Sequence, residues 1–117
     1  MIENKVSMTI AYVDFDKIEM LVGRIARVEV FSKARKPAYK LWIDFGELGI
    51  KQSSAQLTAL YQPEALIGKQ VIAVTNFPPK QIADFMSEVL VLGVPDKDGR
   101  VTLLHPDHEV PLGACVF

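Results

Sequence analysis

The sequence predicts an all-β domain closed into a small Greek-key barrel, on three observations. Tyr39, Leu41, Ile43 and Phe45 alternate with Lys40, Trp42 and Asp44, the period of a strand with one buried face. The other apolar runs are short and bounded by Gly or Pro, as buried strands are. No segment is long enough for the crossover helices that join parallel strands, so short antiparallel strands must close on one another. At 117 residues a single domain over 1–117 is expected, with residues 1–12 a loose or partner-bound end.

Taken in chain order, Asp14 or Asp16 caps a short turn over Lys17–Met20. Val22–Phe31 is rich in β-branched residues and reads as the first strand. Within it Ala26, Val28 and Val30 alternate with Arg27 and Glu29, and Gly23 marks a bulge or tight bend. Tyr39–Phe45 is the second strand. Ala55–Tyr61 fits one or two helical turns behind a Ser54 cap, a short inserted helix, and Pro63–Gly68 is a turn opened by proline and closed by glycine. Val71–Val74 and Val89–Val94 are continuous apolar runs expected at the centre of the sheet. Asp96-Lys97-Asp98-Gly99 is a turn in which Gly99 takes a positive φ, so Val101–Leu104 returns as a hairpin partner.

Half of the residues are apolar, enough to fill one core, which excludes a disordered polar chain. The single cysteine, Cys115, cannot form an internal disulfide and sits in an apolar segment, where a thiol behaves as a small buried hydrophobe. A reducing, cytoplasmic setting is therefore expected. No apolar run reaches the ~18 residues of a membrane span, and residues 1–20 show no signal-peptide core, so no membrane insertion is expected. The net charge of −1 argues against a strongly basic nucleic-acid binder, but the charge is unevenly placed. Residues 17–51 carry an excess of four cations and residues 84–109 an excess of four anions.

No G-x-S-x-G elbow, P-loop, G-x-G-x-x-G or H-E-x-x-H motif is present, so no catalysis and no cofactor is expected. His105-Pro106-Asp107-His108 reads as a polar turn rather than a metal site. Two stretches suit binding. In Asn76–Ser87, Pro78 and Pro79 hold the chain extended after a core strand, so Phe77, Lys80, Phe85 and Met86 are presented by a stiff loop that loses little entropy on binding. The bland alternative is that some of these apolar side chains plug one end of the barrel. Phe31–Tyr39 is a basic loop with Lys33, Arg35 and Lys36, suited to backbone phosphate beside stacking aromatics.

At these residues the chain resembles the tRNA-binding-domain family of oligonucleotide-binding folds, and within it the free-standing, export-associated, chaperone-like CsaA type. The likeness rests on Val22-Gly23-Arg24-Ile25, Ala34–Leu41, Ile43-Asp44-Phe45-Gly46, Lys51–Gln56, Asn76–Ile82 and Phe85–Gly93. It implies a five-stranded Greek-key oligonucleotide-binding barrel with terminal extensions through which it forms a homodimer, a cytoplasmic location and no catalysis. It implies two ligands: unfolded or precursor polypeptides held for the export machinery, and tRNA. Phe77, Pro78, Pro79, Phe85 and Met86 suit the polypeptide, and this is the preferred reading. The family's RNA-facing cluster carries over to Ser53, Ser54, Asn76, Lys80, Met86 and Ser87, joined by Arg35 and Lys36 of the basic loop. Two residues depart from the family pattern: Leu21 stands where an arginine is common and Asp84 where glycine is frequent, both moving the surface away from phosphate affinity. The apolar segment Val110–Phe117 should be covered by the barrel or by a partner.

Overall fold

A computed structural model describes residues 7–117. Of the extension expected over 1–12, residues 1–6 lie outside the described residues; the rest is exposed and leads into α1 (Tyr12–Asp16). The first short helix therefore precedes the predicted turn at Lys17–Met20. Asp14 does cap, by accepting the N–H of Ala11 at 3.0 Å, but from inside the helix rather than ahead of it. The strands that follow are β1 (Met20–Val30), β2 (Tyr39–Asp44), β3 (Ile50–Ala55), β4 (Gln70–Val74), β5 (Lys80–Ile82), β6 (Phe85–Ser87), β7 (Leu90–Val91), β8 (Gly93–Pro95) and β9 (Val101–Leu103). The short α2 (Pro63–Leu66) stands between β3 and β4.

Five antiparallel strands in the order β3-β2-β1-β4-β7 form a nearly closed barrel, the architecture the sequence predicts. The long β1 is its axis, pairing β4 through Met20–Arg24 and β2 through Arg24–Val30. At the seam, the Glu88 amide donates to the Gln52 carbonyl at 2.8 Å, and the Glu88 carboxylate accepts the Gln52 amide at 3.0 Å. Ser87 Oγ accepts the Ser54 amide at 3.0 Å. Among the described residues no helix is long and apolar enough to cross a membrane.

The alternation in β2 is realised in full, with Tyr39, Leu41, Ile43 and Phe45 all buried. They pack with Ile25, Leu57, Leu66, Val71, Ala73, Val89 and Leu103 into one core. The alternation expected at the end of β1 fails. The register shift lies between Ile25 and Arg27, so the bulge is at Ala26 and not at Gly23, and Ala26 and Val30 are exposed. Gly23 instead allows close approach: a Cβ there would stand 2.5 Å from Ile43 Cγ2 and 2.7 Å from the Phe45 ring.

Three further expectations are corrected. Residues 56–62 make a single turn, with the Tyr61 amide donating to Leu57 O at 3.2 Å, and the helix of this insertion is the predicted proline-opened Pro63–Leu66. The Val89–Val94 run is not central: β7 is an edge of the barrel, and the chain leaves it at Leu92 to form the separate β8–β9 hairpin. That hairpin turns at Gly99 with φ 80°, as expected. Cys115 is exposed, not buried. The last segment lies along the edge of β1 that β2 has left, with Gly113 N–H on Val22 O (2.8 Å), Val22 N–H on Ala114 O (2.9 Å) and Val116 N–H on Met20 O (2.9 Å). Leu21 pairs with Cys115 and packs against the core, on this edge of β1.

Candidate functional site

The loop between β1 and β2 is pinned to the β5–β6 hairpin by a second apolar cluster of Phe31, Ala38 and Phe85, with Ala34, Trp42 and Ile82 against it. Phe85 meets Phe31 edge-on at 5.4 Å and Trp42 at 6.0 Å between ring centroids, geometry that favours aromatic pairs beyond simple burial. The Lys40 ammonium stands 4.9 Å over Phe31 and 5.2 Å over Phe85. Outside this cluster Lys33 Nζ meets Asp84 Oδ2 at 2.8 Å, tying loop to hairpin a second time.

These contacts build a cleft of about 660 Å³ lined by the cations Lys33, Arg35 and Lys36 from the loop and Lys80 from β5, with Ser54 and Gln56 at the end of β3. A second cleft of about 420 Å³ shares Ser54, Gln56, Lys80 and Ile82 with it and continues over Leu90, Val91 and Leu92. The two form one groove, basic at the loop end and apolar at the β7 end.

The residues expected to take part divide. Arg35, Lys36, Ser54, Lys80 and Ser87 come together along the groove. Ser53 does not: it is 0 % exposed and its hydroxyl donates to Ser54 O at 3.1 Å. Asn76 is a splint, its side-chain oxygen accepting Glu19 N–H at 3.0 Å while its amide donates to Lys17 O at 2.8 Å. Phe77 (52 % exposed), Pro78 and Pro79 are on the surface, as is Met86 (43 %). Phe85 is the correction here: at 5 % exposure its ring is core, and β6 turns only Met86 outward. Leu21 does not line the groove.

Two residues that line the groove, and one that packs behind it, were missed from the sequence. Trp42 lies on the outward phase of β2, with the Arg27 guanidinium 4.6 Å over its ring; an aromatic at an outward strand position was the available signal. Leu90, 50 % exposed at the apolar end, is hidden within a continuous apolar run, and Gln56 was visible only as the end of the Lys51–Gln56 block.

The hydrogen bond from Lys33, and then its charge, hold the Asp84 carboxyl below the usual carboxylate range, with Lys40 contributing; the same pair raises Lys33. The basic and acidic halves of the sequence meet here and again where Arg24 pairs with Glu109. Ile10, Ala11, Tyr12, Phe15, Asp16 and Phe117 frame an apolar depression of about 450 Å³ between the two terminal segments. Among the described residues no group of three or more His, Cys, Asp or Glu is placed to hold a metal.

Residues 20–115 match the family described as putative tRNA binding domain. The chain belongs to that family. Among solved structures, this tRNA-binding-type domain is similar to the chaperone CsaA of Bacillus anthracis, at 50% identity over 94% of this chain and 100% of that one, with a TM-score of 0.89. It is likewise similar to the CsaA chaperone protein of Picrophilus torridus, at 55% identity over 93% and 100%, TM-score 0.87. It is 37% identical over 103 residues to the methionine–tRNA ligase of Listeria innocua, covering 88% of this chain and 15% of the ligase. The domain thus spans a small part of the curated ligases it matches, and the two chaperones along their whole length.

Proposed function

We propose that this chain is a homodimeric, CsaA-like chaperone that holds unfolded or precursor polypeptides for protein export, acting in the cytoplasm by binding and without catalysis. The observation that carries this reading is the apolar end of the groove, where Leu90 stands exposed between buried Val89 and half-buried Val91, with Met86 and Phe77, outside the groove lining, exposed on and beside the adjoining hairpin. A flexible methionine and a rigidly presented aromatic accommodate varied side chains at modest entropic cost. The Pro78-Pro79 pair supplies the rigidity. Similarity to two proteins named as chaperones supports it. The apolar depression framed by Tyr12, Phe15 and Phe117 is the surface we assign to the dimer, and the exposed, unpaired Cys115 suits a reducing compartment.

A second reading, tRNA binding, is favoured by one specific observation: Arg35, Lys36 and Lys80 converge on one cleft, the arrangement that tracks a phosphate backbone. It is assigned to the basic end of the same groove.

Phe77→Ser, Met86→Ser and Leu90→Ser combined change only exposed side chains, so the fold should survive. The triple variant should lose suppression of aggregation of chemically denatured luciferase, while sedimenting as a dimer like the parent. Undiminished suppression would remove the apolar end as the polypeptide site, and a monomeric parent at micromolar concentration would remove the dimer.

A further inference from the structure

The lining of the basic cleft carries four cations and, among the described residues, no carboxylate. The anion that reaches one of them comes from just outside. Between β5 and β6 the chain turns through Ala83 at φ 53°, the left-handed region that a residue with a Cβ seldom adopts. The turn is held by Gln81, whose side-chain amide donates to Ala83 O at 3.0 Å. It delivers Asp84 to Lys33, at 2.8 Å, with Lys40 near enough to act on its charge. Among the described residues Arg35, Lys36 and Lys80 make no comparable ion pair.

We propose that Asp84 is a specificity-determining residue, a built-in counter-anion that occupies Lys33 and biases the groove toward apolar polypeptide and away from polyphosphate chains. The inference rests on the reading that one groove serves both ligands. A phosphate backbone entering the cleft must either displace the Asp84 carboxylate from Lys33 or lie beside it, and both outcomes work against binding by like-charge juxtaposition. Contacts at the apolar end depend on buried area and are indifferent to that charge.

The test is an anisotropy titration of labelled bulk tRNA with the full chain, its Asp84→Asn and Lys33→Gln variants and the double variant, across a salt series. Each protein is also assayed for suppression of luciferase aggregation. Asp84→Asn should bind tRNA about five- to tenfold more tightly near 0.1 M salt, with a salt slope steeper by about 0.7–0.9, one additional phosphate contact. Lys33→Gln should show no gain, because it leaves the Asp84 anion without its cation, and the double variant should bind more weakly than Asp84→Asn alone, because the cation to be released is gone. Polypeptide holding by Asp84→Asn should match the parent. An Asp84→Asn affinity within twofold of the parent, with an unchanged salt slope, would overturn the proposal, as would an equal gain in Lys33→Gln. The polypeptide arm decides the underlying reading separately: a parent that fails to suppress aggregation removes that reading, whatever the tRNA arm shows for Asp84.

Discussion

Replacing Arg35, Lys36 and Lys80 together by glutamine should lower tRNA affinity about a hundredfold near 0.1 M salt and flatten the salt dependence by about two to three units of slope. All three side chains line one cleft, and each neutralised phosphate contributes about 0.7–0.9 to the slope. Glutamine keeps a polar, hydrogen-bonding side chain and removes the charge. Binding curves taken across a salt series read both quantities. A loss below threefold with an unchanged slope would mean that phosphate is held elsewhere on the barrel.

The largest effect on stability is expected at Phe45. Its ring is fully buried and lies against the bare backbone of Gly23, filling the space that a Cβ at that position would claim. Phe45→Ala should therefore open a cavity that the stiff β1 cannot collapse into, costing about 3–5 kcal/mol. That is a large share of the ~5–15 kcal/mol that holds a domain of this kind together. Urea unfolding should show the midpoint falling steeply, with Phe45→Leu recovering more than half of the loss. A midpoint for Phe45→Ala close to that of the parent would contradict this account of the core.

The features legible in the sequence were those fixed by local chemistry. The β2 alternation, the proline-opened turn at Pro63 and the Gly99 hairpin each follow from residue spacing or backbone freedom, and each is present. What failed depended on partners distant in sequence. Gly23 carried the mark of a bulge, but β1 changes partner at Arg24, and the irregularity falls just after the changeover, at Ala26. The Val89–Val94 run reads as one strand, yet Leu92 turns it. The Leu92 amide still donates to Ile72 O on β4, while its carbonyl accepts the Leu104 amide from the end of the second hairpin.

The site divides in the same way. Cations in the 33–36 loop are visible as a run, whereas the phase of a three-residue strand is not, so nothing local distinguishes the buried Phe85 from the exposed Met86. Ser53 and Ser54 pose the same ambiguity on β3. Cys115 sits among apolar neighbours, but its segment adds to an edge of β1, leaving the thiol in solvent. The outward face of Trp42 follows from the β2 alternation, while its packing in the second apolar cluster depends on Phe85, more than forty residues away by count, and on Arg27 across the strand pair.

The central claim is that one groove joins an apolar, polypeptide-holding end to a basic end. The most direct test follows a fluorescently labelled unfolded apolar polypeptide by anisotropy as salt is raised, with and without bulk tRNA as competitor. Polypeptide binding should persist at salt concentrations that abolish tRNA binding, and at low salt tRNA should displace the polypeptide, because Ser54, Gln56, Lys80 and Ile82 belong to both ends. Steeply salt-dependent tRNA binding with no measurable affinity for the polypeptide would contradict the claim and leave the barrel as a nucleic-acid module alone.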